Sequence, residues 1–344
     1  MRAAVYRQNA GLVIEDVSTP EIGAGDVLVK IANTGFCGSD HSMLESGNIP
    51  DGIILGHEVS GTVADQGRDV SGDMTGMRVV IRPTFCGECR DCRMGKPYFC
   101  QQNRHSIGIG DLPGGFAEYI KVLPQMLIPV PEGVDSQNAA LAEAFSASYH
   151  GMVCSGSSGG SALVLGGGAI GLALVRLLKL EGFGPVALSE PVPAKRDLAL
   201  SFGADMVVDP TVDSRDRGMD AFVFEKTAGV GFESVFECSG VLDNVQAALN
   251  FCARGGVVCV VSVIMQPVTI IPVTLNFKEV RLTASYSNTH AENIACLDWM
   301  AQGKLDGRPM ISDLITIEEL PQVYRERIHS GKALKVMLKI GEAF

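Results

Sequence analysis

Residues 161–182 read SALVLGGGAIGLALVRLLKLEG, and this stretch decides how the second half of the chain is understood. SALVL is an apolar run of strand length, the glycines form a turn, and AIGLALVRLLKL has the length and composition of a helix. Gly166, Gly168 and Gly171 spell G-x-G-x-x-G between the two. Glycines at those positions permit a tight turn and the close approach of a pyrophosphate. The helix start supplies unpaired N–H groups and a partial positive charge. Gly166, Gly168, Ala169, Ile170 and Gly171 are therefore expected to cradle a dinucleotide.

Outward from this turn the same theme repeats. VALSE is a second apolar strand, PAKRDLALSFGA a helix and MVVD a third strand. FESVFECSG, VLDNVQAALNFCA and GGVVCVVSV add strand, helix and strand. Alternating units of this kind predict a parallel, doubly wound α/β sheet, a Rossmann domain over 151–285. Glu190 closes the second strand, 24 residues after Gly166. A carboxylate there would accept bonds from both ribose hydroxyls and repel a 2′-phosphate, which favours NAD over NADP. Lys195 and Arg196 follow and would soften that exclusion. A solvated loop acid, or a Rossmann domain for S-adenosylmethionine, are the competing readings of this segment.

The first 150 residues have another texture. VLVKIANTG, EVSGTVAD, MRVVIRP and FAEYIKV alternate like strands between Gly/Pro breaks, as in a barrel-like β-rich domain with long loops. The segment AENIACLDWMAQGK reads as a helix and KALKVMLKI as a final strand, so 286–344 is expected to return to the first domain. The whole carries a net charge of −11 with no basic block. Such a chain is a poor partner for nucleic acid or an anionic membrane surface. No apolar run reaches the ~18 residues of a membrane span, and the N-terminus lacks the apolar region of a signal peptide. The cytoplasm is the expected compartment.

Residues 86–100 read CGECRDCRMGKPYFC. Cys86, Cys89, Cys92 and Cys100 have the spacing that lets one loop wrap a tetrahedral zinc ion. Disulfides are disfavoured in the cytosol. A bacterial iron–sulfur run has a shorter last spacing followed by Pro, and a redox pair does not need four thiols. A zinc with four thiolates has no open position, so this loop is structural rather than catalytic. Cys154, Cys238, Cys252, Cys259 and Cys296 are scattered among apolar residues and read as reduced core thiols.

A second metal site is suggested by GFCGSD, GHEVSG and AEAFSA, which hold Cys37, Ser39, His57, Glu58 and Glu143. Three protein ligands and one open position are the pattern of a catalytic zinc. Together with the cysteine loop, GGFAEYIKV, VLGGGAIG, FECSG and KALKVMLKI, these stretches give the chain, from about residue 30 to its end, a resemblance to the zinc-dependent medium-chain dehydrogenases. That is the alcohol, polyol and threonine dehydrogenase group, and the sorbitol and idonate type is most similar. The resemblance implies a GroES-like catalytic domain over 1–150 and 286–344 and two zinc ions per chain. It implies that Cys37, His57 and either Glu58 or Glu143 hold the catalytic zinc, with Ser39 bonding the substrate oxygen. Arg196, Cys238, Ser239 and Ser262 would join the cofactor site.

Three departures from the family pattern stand out. Ser42 occupies a position where many relatives have a proton-relay His, and His41 lies one place earlier. Ala144 stands where polyol enzymes have Pro, and Ser262 where Gly is usual. Proton release is then expected through Ser39, water or ribose hydroxyls. The substrate class implied by the resemblance is a polyhydroxylated small molecule: a polyol, sugar acid or cyclitol oxidised at a secondary hydroxyl. An aminocyclitol, threonine, or a non-catalytic NAD-binding role are the alternatives. His105 and His150 are read as structural or pocket-lining. A homodimer or homotetramer is expected through the cofactor domain, with apolar TIIPVTL as a contact edge.

Overall fold

The structure is a computed structural model that describes residues 1–47, 49–211 and 218–344. These form two compact units, one of Met1–Glu143 with Thr289–Phe344 and one of Ala144–Asn288. The unbroken helix Ala142–Ser155 runs through the first boundary. No Gly or Pro marks that passage, which is why alternation alone puts it several residues later.

The first unit opens with an antiparallel hairpin of β1 (Arg2–Arg7) and β2 (Gly11–Asp16). It continues through β3 (Val27–Phe36), β4 (Glu58–Gln66), β5 (Arg78–Ile81), β6 (Tyr119–Val122) and β7 (Leu127–Pro129). The second unit holds β8 (Ala162–Leu165), β9 (Val186–Ser189), β10 (Met206–Val208), β11 (Phe232–Glu237), β12 (Cys252–Val260) and β13 (Arg281–Ala284). The chain then returns to the first unit with β14 (Ile311–Ile315) and β15 (Lys335–Lys339).

In the second unit the sheet order is β10-β9-β8-β11-β12-β13, and every pair is parallel. The strand order reverses beside β8, and that switch point is where such sheets leave a crevice for a ligand. The central strands β8, β9 and β11 are short and almost wholly buried. Leu163, Val164, Val186, Leu188, Val235 and Phe236 are fully enclosed, as parallel strands covered on both faces must be. Gly171 shows how tightly the first helix sits against the glycine turn. A Cβ there would stand 1.9 Å from the carbonyl oxygen of Gly166, so only glycine allows this approach.

In the first unit seven strands join in the order β14-β15-β3-β4-β5-β7, with β6 also on β3. Strand β3 is the longest and pairs with β15, β4 and β6. Its last residue, Phe36, enters a core with Leu55, Phe116, Leu320 and Leu338. Phe36 and Phe116 stack with ring centroids 5.6 Å apart and planes within 7°, a favourable aromatic separation. Met43 and Leu44, from the helix that Cys37 caps, pack against this core.

Phe116 is fully buried. Phe116→Ala is expected to destabilise the first unit by about 3–5 kcal/mol, the cost of truncating an enclosed aromatic ring. Calorimetric unfolding should show it. A loss below about 1 kcal/mol would mean that the stacked pair does not anchor this end of β3.

Candidate functional site

Cys37 follows β3 and caps the helix Gly38–Ser46. That helix buries only Asp40. Asp40 Oδ2 accepts the N–H of Cys37 at 2.9 Å and Oδ1 accepts the N–H of Gly56 at 3.2 Å. One carboxylate thus ties together the two loops that carry Cys37 and His57. Asp40 Oδ1 also stands 3.4 Å from His57 Nδ1, which is buried and has no hydrogen-bond partner. On the other side of the ring, Nε2 lies 3.3 Å from Ser39 Oγ. A carboxylate behind one imidazole nitrogen orients the other toward a metal.

Glu58 is fully enclosed. Both its oxygens accept from Lys335 Nζ, at 2.7 and 2.8 Å, and Lys335 also donates to the carbonyl of Phe36 at 3.3 Å. Register makes room for this carboxylate. Glu58 lies opposite Gly35 across β3 and β4, and a Cβ on Gly35 would come within 1.9 Å of Glu58 Oε2. Burial works against the charge on Lys335, but Glu58 and then Cys37 outweigh it and hold the ammonium above its ordinary pKa.

The donor atoms of Cys37, His57 and Glu58 lie within 4.8 Å of one another. They fit a divalent cation. Lys335 is paired with the buried Glu58 and also feels Cys37 and Glu143. Burial again opposes a charge on His57, yet Asp40 and Cys37 overcome it and push its pKa well above the usual value. The site favours positive charge at that ring, which a metal would provide in place of the proton.

The four cysteines of the 86–100 loop also converge. Sγ separations are 3.8 Å for Cys86–Cys92, 3.4 Å for Cys89–Cys92 and 3.5 Å for Cys86–Cys100. Sulfurs bound at ~2.3 Å around a tetrahedral zinc stand about 3.8 Å apart. A disulfide needs ~2.05 Å, and all four thiols are free. Burial raises the Cys100 thiol, but backbone N–H groups from Cys86, Asn103 and Gln102 bring it down to about 6. Burial and then a bond with Cys89 push Cys92 up to about 12. Four thiols this close cannot all ionise without a cation, and the geometry fits zinc.

In the second unit the nucleotide candidates lie level with one another. Leu165 pairs with Ser189 and Glu237, and Glu237 with Val260. Gly166, Glu190 and Cys238 thus leave adjacent strand ends together. Gly168 caps the helix Ala169–Leu180, and a Cβ there would meet only open space. That space in front of the helix start fits a pyrophosphate. Glu190 accepts from Gly167 N at 2.7 Å and Val192 N at 2.9 Å, so its carboxylate braces the glycine turn. Arg196 bonds the carbonyls of Glu190 and Pro191 and pairs with Asp209 at 3.0 Å. The hydroxyls of Ser239 and Ser262 both donate to the buried Glu237, and burial raises the Cys238 thiol.

The remaining candidates are distributed elsewhere. Glu143 is outside the 4.8 Å cluster of Cys37, His57 and Glu58, though its charge is felt by Lys335. His105 contacts Asp111 and Asn103, and His150 contacts Cys154. His41 faces Tyr324, while Ser42 donates back to Gly38 O. Asp40, Lys335 and Glu237 were not singled out from the sequence. Asp40 lies inside GFCGSD and Glu237 inside FECSG; Lys335 opens the strand KVMLK and, unlike the exposed Lys339 at its other end, is buried.

Two family models match the chain: the alcohol dehydrogenase GroES-like domain over residues 23–132, and the zinc-binding dehydrogenase over residues 169–302. A (R,R)-butanediol dehydrogenase from Neisseria gonorrhoeae is 31% identical over 98% of this chain and 99% of its own. A 2-dehydro-3-deoxy-L-galactonate 5-dehydrogenase from Pseudoalteromonas atlantica is 30% identical over 98% of each. Among solved structures, a zinc-binding dehydrogenase from Sinorhizobium meliloti bound to NADP superposes with a TM-score of 0.88 at 31% identity, covering 98% of both chains.

Removing one partner of a buried ion pair strands the other charge. Lys335→Met is expected to cost about 3–5 kcal/mol in urea unfolding. The double variant Glu58→Gln/Lys335→Met should recover much of that loss, because neither charge remains. Additive losses in the double variant would show that the two groups do not act as a pair.

Proposed function

The chain belongs to the zinc-dependent medium-chain dehydrogenases, and from that premise we propose that it oxidises a secondary hydroxyl of a polyol, sugar acid or cyclitol to a ketone with NAD. It is an NAD(P)-dependent enzyme of the alcohol and polyol dehydrogenase class. The observation that carries the reading is the convergence of Cys37, His57 and Glu58 with Asp40 behind the imidazole. When bound, zinc would supply Lewis acidity at the substrate oxygen and the nicotinamide a hydride acceptor.

The chain's own residues do the rest. Cys37 and His57 hold the metal, with Glu58 or Glu143 as the acid. Asp40 stands behind His57 as the charge partner of its Nδ1, and Lys335 restrains Glu58 through both its oxygens. Ser39 Oγ, beside His57 Nε2, bonds the substrate oxygen and takes its proton outward. Cys86, Cys89, Cys92 and Cys100 hold a second, structural zinc. The first unit is the catalytic domain and the second the dinucleotide-binding domain.

Relatives acting on butanediol and on a galactonate derivative support a substrate with vicinal oxygens. The engagement of Arg196 with Asp209 leaves Glu190 as the acid at the ribose position and supports NAD. Gly166, Gly168, Ala169, Ile170 and Gly171 would bind the pyrophosphate, with Cys238, Ser239 and Ser262 near the nicotinamide. No helix among the described residues is long and apolar enough to cross a membrane; the cytoplasm is the proposed compartment. Val263, Met265, Ile271 and Phe277 are exposed at 76%, 84%, 53% and 79%. Such a run near the edge strand β13 supports a homodimer or homotetramer through the second unit.

NADH formation at 340 nm should appear with one substrate class in a panel of polyols, sugar acids, cyclitols, butanediol and threonine. Chelator should abolish it, and the protein as purified should hold two zinc ions per chain. Ser39→Ala is expected to lower kcat by about 10²-fold, the contribution of a positioned proton-transfer group. His41→Ala should leave kcat within a few-fold. A hundredfold loss with His41→Ala and zinc intact would refute this proton route. Light scattering should show an oligomer at micromolar concentration, and a monomer would remove that assignment.

A further inference from the structure

A third group of ligating side chains lies in the first unit. His41, Glu45 and His329 each bring a donor atom within 4.8 Å of the other two. His41 and Glu45 stand four residues apart on the helix Gly38–Ser46, so they share one face. His329 arrives from the far end of the chain, at the end of the π-helical turn Tyr324–Ile328. Turns of this kind are rare and recur at functional positions.

The contacts around the carboxylate are those of a supported ligand. Glu45 Oε1 accepts from the Tyr324 hydroxyl at 2.8 Å and lies 3.1 Å from His329 Nδ1. His41 Nδ1 is 3.2 Å from the same hydroxyl. The Tyr324 ring is in turn packed on Phe36, with centroids 5.9 Å apart. The Glu45 and His329 side chains are about half exposed. An ion pair in that setting returns little energy. It does not account for drawing two imidazoles and a carboxylate to one point.

The geometry points to a third divalent metal site, of His41, Glu45 and His329, distinct from both zinc sites above. Two imidazoles and one carboxylate suit zinc and its neighbours in the first transition row. Ligand distances of ~2.0–2.1 Å are reached by rotating two exposed side chains, and water completes the coordination. The bound ion joins the helix that Cys37 caps and that carries Ser39 and Asp40 to the turn before β15. It acts as a clamp on the support of the candidate active site and takes no part in the chemistry.

The test uses Zn²⁺ alone. Full-length wild type and the variants His329→Ala and Glu45→Gln are equilibrated at tens of micromolar free Zn²⁺, separated from excess on a desalting column run in that buffer, and analysed for metal. Wild type should hold one equivalent more than either variant. Its unfolding temperature should rise with added Zn²⁺, as binding to the native state requires, and that rise should be missing from both variants. Equal zinc content and equal thermal shifts in all three proteins would overturn the site. Because the readout is the difference between wild type and variant, it stands whatever number of ions the other two sites hold.

Discussion

Everything at the candidate active site depends on one physical constraint: four ionisable groups sit inside the first unit and must neutralise one another. Asp40 and Glu58 are fully enclosed, and His57 and Lys335 nearly so. Isolated charges in such a place are prohibitively costly. The structure meets the cost with geometry. Lys335 reaches both oxygens of Glu58, and Asp40 takes two backbone N–H groups while backing His57. With His57 protonated and the Cys37 thiol intact the four charges cancel; a divalent ion would take the place of the two protons, binding a neutral ring and a thiolate.

The fold exists to bring these groups together. Strand β3 lies between β4 and β15, so Gly35 faces Glu58 and Phe36 faces Val336 in adjacent pairings. Lys335 then enters the site from the last strand, Glu58 from the fourth, and Cys37 from the end of the third. Phe36 packs against Phe116 below them. In the second unit the logic is simpler. Parallel strands end level, and their successors meet at the switch point. Glu190 and Glu237 there accept backbone N–H groups from the glycine turn and from Ser239 and Gly240, so the acids stiffen the loops around the open space before Gly168.

What could be read from the sequence was local. The strand–turn–helix at 161–182 carries its own periodicity, and the cysteine loop its own spacing. Cys37, His57 and Glu58 were legible only as parts of short motifs with a family resemblance. Lys335 was not, because it lies 277 residues from Glu58 and no pattern links them. Asp40 sits within its motif unmarked, since a helix that buries a single carboxylate shows no apolar stripe. The His41, Glu45 and His329 group combines a helical spacing with a residue 284 positions from Glu45. Ser262 stood out as a departure, and its reason emerged only in the structure: its hydroxyl is bound to Glu237.

The most direct measurement is an anomalous difference map at the zinc absorption edge, from crystals grown without added metal. The expected result is two peaks per chain, one inside the four cysteines of the 86–100 loop and one against Cys37 Sγ and a ring nitrogen of His57. The map would also show whether Glu58 or Glu143 supplies the acid. A single peak at the cysteine loop, with the Cys37 and His57 side chains well ordered and metal-free, would contradict the account.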